Sequence, residues 1–213
     1  IKEYDLYKQA YTPWEWHAGL MEEAKKCGLL CFSSPFDATA VDFLEELDAP
    51  AYKIASYEIN DIPLIRRVAK LHKPVIFATG IAHLEDIERA MNVCREEGNE
   101  DVILLKCVSA YPTPYEDANL TAMIELYDQF GLPVGLSDHT PGWECDVAAT
   151  VLGAQVIEKH FTLDKSLPGP DQKASLDPAE FAAMVLAVRH AEAALGDGHK
   201  HLTASEAPNK AIA

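Results

Sequence analysis

The sequence predicts an α/β fold built on parallel strands, and three observations carry that prediction. Short apolar runs of strand length alternate with amphipathic segments of helical length as far as residue 196. The runs turn polar only at their carboxyl ends, as in Val134-Gly135-Leu136-Ser137-Asp138-His139 and Val156-Ile157-Glu158-Lys159-His160, which is how strands covered on both faces of a parallel sheet read. Several intervening segments open on a capping residue, which marks where strand gives way to helix.

In chain order, Thr12-Pro13-Trp14-Glu15 carries a helix-start signature, a capping threonine followed by proline at the first helical position. A strand at 29–34 follows, and Asp37 caps the segment that begins Ala38-Thr39-Ala40-Val41. Strands at 51–56 and 74–79 flank a helix that Asp61 opens, and strands at 102–108, 133–138 and 156–161 bring the set to six. Asp177-Pro178-Ala179-Glu180 opens the last long helix, with Asp177 as cap, Pro178 in the first helical position and Glu180 completing a capping box. Beyond residue 196 the apolar periodicity is lost. The expected organisation is therefore a strand-and-helix domain over 1–196 and a linker over 197–213.

Repeated βα units with right-handed crossovers form either an open doubly wound sheet or a closed barrel. No Gly-x-Gly-x-x-Gly or Gly-x-x-x-x-Gly-Lys-Ser/Thr follows any strand, and polar residues close every strand rather than cluster at one switch point. Both facts favour a (β/α)8 TIM barrel. Such a barrel takes about eight strands and about 250 residues, so six βα units predict an incomplete barrel that lacks the first two.

The 213 residues are 48% hydrophobic and carry a formal charge of −16. The chain can build a sizeable core, whereas nucleic acid or an anionic membrane would require a basic face. A small-molecule partner is expected. Five cysteines, an odd number with no Cys-x-x-Cys, point to reduced thiols and a cytoplasmic location. No apolar run approaches the roughly 20 residues that cross a bilayer.

Period-two alternation sorts the candidate residues by face. Ser137 and His139 share one face with Asp138 opposite, and Glu158 and His160 share one with Lys159 opposite. If the two strands are neighbours, both histidines point into the barrel mouth, where imidazole nitrogens can bind a divalent ion. Spacing alone leaves a metal pair and a hydrogen-bonding structural pair both open. Lys53 and Lys106 interrupt apolar runs, so each calls for a counter-charge, either an anionic ligand or a barrel carboxylate such as Glu58 or Glu158. Ser34, Ser56, Ser109 and Tyr111 gather at other strand ends, and Asp171 lies in the loop Leu167-Pro168-Gly169-Pro170-Asp171. Cys107 reads as a small core residue, and Trp14, Trp16 and Phe43 as helix packing.

A series of motifs, Phe32-Ser33-Ser34-Pro35-Phe36-Asp37, Tyr52-Lys53-Ile54-Ala55-Ser56, Thr79-Gly80, Gly135-Leu136-Ser137-Asp138-His139-Thr140, Val156-Ile157-Glu158-Lys159-His160-Phe161-Thr162 and Gly169-Pro170-Asp171, closely resembles the sialic acid synthase family in order and spacing. The likeness runs from Tyr4 to Gly196. It implies a barrel enzyme that condenses phosphoenolpyruvate with an N-acetylated sugar aldehyde, a carbon–carbon bond-forming transferase that releases phosphate. It further implies a divalent ion, Mn2+ or Mg2+, on His139 and His160, with Lys53 and Glu158 in the catalytic centre. By the same resemblance Ser34, Ser56 and Ser137 contact phosphoenolpyruvate, Ser109 stands in the phosphate site, and Glu58, Tyr111 and Asp171 contact the sugar.

The sequence departs from the family pattern at Ser109, where asparagine is frequent, and at Ala78, where serine is common. The family also carries an antifreeze-like domain beyond the linker that completes the partner's site in a homodimer, so the present chain alone is expected to be inactive. Thr12-Pro13-Trp14-Glu15-Trp16 and Lys106-Cys107-Val108-Ser109-Ala110-Tyr111 resemble the pseudaminic acid branch, and Leu167 to Leu176 the N-acetylneuraminate branch. Two other readings compete: an aldolase or lyase with Lys53 or Lys106 as Schiff-base lysine, and a non-catalytic sugar-binding barrel.

Overall fold

The computed structural model describes residues 8 and 10–212; Tyr4, where the resemblance begins, lies outside them. Its centre is a parallel sheet of five strands that lie side by side in chain order. They are β1 (Tyr52–Ile54), β2 (Val75–Ala78), β3 (Val102–Cys107), β4 (Val134–Asp138) and β5 (Ile157–Lys159). The helices are α1 (Trp14–Lys26), α2 (Ala38–Glu46), α3 (Ile62–Ala69), α4 (Leu84–Glu96), α5 (Ala122–Phe130), α6 (Glu144–Val151) and α7 (Pro178–Leu195). One helix follows each strand, the arrangement of a barrel wall.

Alternation along the strands divides the sheet into two chemically distinct faces. Tyr52, Ile54, Val75, Phe77, Val102, Leu104, Val134 and Leu136 join the core formed with Leu44, Ile65, Val68, Met91 and Met123 of the helices. The intervening residues Lys53, Cys107, Ser137 and Glu158 project to the other face. A single period-two pattern thus supplies both the hydrophobic driving force and the polar surface.

Caps hold the helices where the sequence places them. Asp37 accepts from the Ala40 amide at 2.9 Å and Asp61 from that of Leu64 at 3.1 Å. Asp177 accepts from Ala179 and Glu180 amides at 2.9 Å, and Glu180 returns a bond from the Asp177 amide at 3.0 Å. The expected Thr12 cap does not form: Pro13 occupies the capping position, and no side chain bonds there. Trp14 does stack on Phe43, at 4.5 Å between ring centroids, but Trp16 remains 59% exposed.

The expected strand at 29–34 is reduced to one parallel bridge between Ser33 and Tyr52, closed by the Lys53 amide donating to Ser33 O at 3.3 Å. Leu29 and Leu30 are exposed. Among the described residues this segment pairs on one side only, and Pro35 lacks an amide and biases the preceding backbone, so pairing stops after a single residue. Lys106 is a second correction. It has the parity of Val102 and Leu104, so it turns towards the helices, where its Nζ donates to Ala118 O instead of meeting a ligand or carboxylate. Among the described residues no helix is long and apolar enough to cross a membrane.

Candidate active site

A cleft of about 410 Å³ opens at the carboxyl edge of the sheet, on the polar face. Small-molecule sites span about 300–1,000 Å³. Eight of the predicted site residues line it: Ser34, Lys53, Ser56, Tyr111, Ser137, His139, Glu158 and His160.

The β4–β5 register sets Ser137 opposite Glu158, and the Ser137 hydroxyl donates to Glu158 Oε1 at 2.7 Å. Glu158 Oε2 lies 3.2 Å from Lys53 Nζ, so the carboxylate alternative for Lys53 is realised within the cleft. His139 Nδ1 lies 2.7 Å from Val108 O. Because a carbonyl only accepts, Nδ1 carries the proton and donates, which leaves Nε2 as the basic nitrogen of the neutral ring. The two imidazoles stand 5.1 Å apart by ring centroid, and Tyr111 packs against both, at 4.1 Å from His139 and 5.6 Å from His160. Burial holds the Tyr111 phenol protonated well above its ordinary range.

Asp171 approaches this pair from its loop, with Oδ2 3.7 Å from His160 Nδ1. Glu58 and Ser109 do not line the cleft, yet each keeps a buried side-chain oxygen without a hydrogen-bond partner, Glu58 Oε2 and Ser109 Oγ. Burial pushes the Glu58 carboxyl above its usual range. Ser109 Oγ and Ser56 Oγ converge on Gly80, where an added Cβ would fall 2.2 Å and 2.8 Å from them. The Gly80 amide donates to Ser56 Oγ at 3.1 Å.

Cys107 is buried, as expected of a small core residue, and it also lines the cleft. Its sulfur lies 3.8 Å from Ser56 Oγ and 3.9 Å from His139 Nδ1. Burial alone would raise the thiol, but the His139 contact and the Ser56 and Ser137 hydroxyls together bring it below its ordinary value. The signal was in the sequence, because Cys107 shares the parity of the cleft side of β3 once Lys106 is assigned to the helix side.

Among the described residues no group of three or more His, Cys, Asp and Glu side chains is gathered as for a metal. The donor chemistry of the two imidazoles nevertheless fits a divalent ion completed by water and substrate oxygens. The Val108 carbonyl fixes His139 in the tautomer that presents Nε2, the outer support that metal-bound histidines characteristically have.

A parallel sheet wrapped by helices, with its polar cleft at the carboxyl strand ends, defines a TIM-barrel-like α/β protein with a small-molecule site. The NeuB family profile matches residues 1–200, and the chain belongs to that family. It is 50% identical over 212 residues to the pseudaminic acid synthase of Campylobacter jejuni, an alignment that covers 100% of this chain and 62% of that protein. It is also 46% identical to the N,N'-diacetyllegionaminic acid synthase of the same species, over 91% of this chain and 58% of that one. Among solved structures, an N-acetylneuraminic acid (sialic acid) synthetase from Leptospira borgpetersenii superposes with a TM-score of 0.89 at 35% identity, covering 98% of this chain and 73% of that chain. The present chain therefore spans about 62% of the first of these relatives.

Proposed function

We propose that this chain is the barrel part of a nonulosonic acid synthase, which condenses phosphoenolpyruvate with an N-acetylated hexose aldehyde. The reading rests on one observation above all. A single cleft gathers a lysine, four serines, a glutamate and an imidazole pair, a set suited to an anionic substrate beside a polarised carbonyl.

In this reading Lys53 and the hydroxyls of Ser34, Ser56 and Ser137 hold the phosphate and carboxylate of phosphoenolpyruvate, with Ser109 donating to the phosphate. Glu158 holds Lys53 at 3.2 Å, leaving further ammonium protons oriented for the substrate, and accepts the Ser137 proton at 2.7 Å, which Ser137 turns to the substrate when it arrives. Glu58, Tyr111 and Asp171 take the sugar hydroxyls. His139 and His160 hold the divalent ion, Mn2+ or Mg2+, whose chemistry when bound is Lewis-acid polarisation of the aldehyde oxygen. C3 of phosphoenolpyruvate then forms a bond to the aldehyde carbon, water adds at C2 and phosphate leaves. The 50% and 46% identities favour a pseudaminic or legionaminic type of product, and we place pseudaminic acid first. The remaining parts of the proposal are a homodimer in the full-length protein, a linker at 197–213 and a cytoplasmic location, in keeping with five free thiols.

The test is phosphate release from phosphoenolpyruvate by the full-length protein with a panel of N-acetylated hexoses. Turnover abolished by a chelator and restored by manganese supports the synthase; no turnover with any sugar and any divalent ion overturns it. Borohydride trapping of a pyruvate adduct on Lys53 would instead establish the aldolase reading, since Lys106 faces the helices.

A further inference from the structure

The segment that leads from β3 over the cleft is a short strap, and its hydrogen bonds converge on one histidine. Of the residues from Tyr111 to Asp117 only Thr113 is buried, at 3% exposure, although it stands between Pro112 and Pro114 in a run that otherwise faces solvent. A polar residue enclosed in this way uses its bonding groups internally. Proline has no amide N–H, so Thr113 supplies the one backbone donor from residue 112 to residue 114.

That donor is given to the end of β4: the Thr113 amide bonds to His139 O at 2.8 Å. The His139 ring returns to the strap, with Nδ1 donating to Val108 O at 2.7 Å. Thr113 Oγ1 closes the turn between these two ties. It donates to Ala110 O at 2.9 Å and lies 3.4 Å from Val108 O, the carbonyl that receives the imidazole proton. One turn therefore clamps His139 by backbone and by ring. Tyr111, inside that turn, packs against His139 at 4.1 Å and His160 at 5.6 Å between ring centroids. Farther along, Tyr115 Oη donates to Glu144 Oε2 at 3.1 Å and ties the strap to the start of α6. Thr113 itself does not line the cleft, so it acts only through the groups it holds.

We propose that Thr113 is a positioning residue whose hydroxyl locks the 108–113 turn, so that the Val108 carbonyl selects the Nδ1–H tautomer of His139 and Tyr111 is seated against both imidazoles. A side chain of the same shape without the hydroxyl deprives Ala110 O of its bond and frees the turn to shift. The change reaches His139 through Val108 O. The inference rests on the reading of His139 and His160 as metal ligands for one arm of its test only.

Three forms of the full-length protein provide the test: wild type, Thr113→Val, which removes the hydroxyl at nearly constant shape, and Thr113→Ser, which keeps it. The His139 Nδ1 proton is expected to give a slowly exchanging NMR resonance in wild type and Thr113→Ser, and to be displaced or lost to exchange in Thr113→Val. Mn2+ affinity, read from the paramagnetic resonance of the free ion, is expected to fall about 10-fold or more in Thr113→Val and to recover in Thr113→Ser. A Thr113→Val protein that keeps the wild-type imidazole resonance overturns the proposal whatever its thermal midpoint, because a residue that only supports the fold leaves that resonance unmoved. A Thr113→Ser protein as impaired as Thr113→Val also overturns it, since the hydroxyl is then not the cause. Wild type that binds no Mn2+ would refute the metal reading instead, and the imidazole resonance alone then decides. Should Thr113→Val fail to fold, amide hydrogen exchange in wild type decides: a Thr113 amide that exchanges more slowly than the exposed Glu116 amide supports the clamp, and one that exchanges as fast refutes it.

Discussion

His139 shows how much a single side chain is determined by its surroundings. Its Nδ1 proton is committed to the Val108 carbonyl, so the ring offers a lone pair in one direction only. On the proposed reaction, His139→Ala or His160→Ala is expected to lower phosphate release by at least about 100-fold. The far-UV circular dichroism of both variants should be unchanged, and undiminished turnover in either would refute its role. Gly80 acts by having no side chain. A Cβ there would fall within 2.8 Å of two serine hydroxyls, so Gly80→Ala is expected to displace both and raise KM for phosphoenolpyruvate about 10-fold, with a smaller change in kcat. Steady-state kinetics with phosphoenolpyruvate varied would separate the two effects.

At the scale of elements, the β4–β5 contact is the one on which the cleft depends most. Gly135 lies where an added Cβ would meet Val156 O at 2.2 Å and Leu105 Cδ2 at 2.8 Å. The Val156 oxygen already accepts from the Leu136 amide at 2.9 Å, so it cannot retreat without breaking the ladder. Gly135→Ala is expected to cost about 2–3 kcal/mol in urea unfolding. A neutral result would show that the strands separate more freely than this packing allows. A second tie joins α2 to β1: Tyr52 Oη donates to Glu45 Oε1 at 2.5 Å, and Lys73 Nζ lies 2.7 Å from the same oxygen. Burial pushes Glu45 up, but the bonds from Lys73 and Tyr52 together bring its carboxyl below the usual range.

At the scale of the whole molecule, these buried carboxyls set opposing limits on stability. The contribution of Glu45 is present above the ordinary glutamate value and is lost as pH falls through its lowered native value. Those of Asp146 and Glu58, both raised by burial, are lost as pH climbs above their ordinary values. Calorimetry is therefore expected to give the highest thermal midpoint near about pH 5, with a decline towards about pH 8. A midpoint that rises steadily over that range would contradict the raised carboxyls of Asp146 and Glu58. The net charge of −16 belongs to the same scale, since it favours divalent cations near the surface while Lys53 provides positive charge inside the cleft.

The sequence by itself determined the parallel α/β class, the helix starts at Asp37, Asp61 and Asp177, and the sorting of Ser137, His139, Glu158 and His160 onto one face. These are consequences of local periodicity and capping, which depend on near neighbours along the chain. Its motifs also carried the family. Only the tertiary structure decided that Lys53 pairs with Glu158, that Lys106 turns to Ala118, and that Cys107 joins the cleft. It alone reduced the expected strand at 29–34 to a single bridge and left the Asp146 carboxyl fully buried without a hydrogen-bond donor. Each of these outcomes depends on which strand lies beside which and on what a helix covers, and residues separated by many positions acquire those neighbours only when the sheet is assembled.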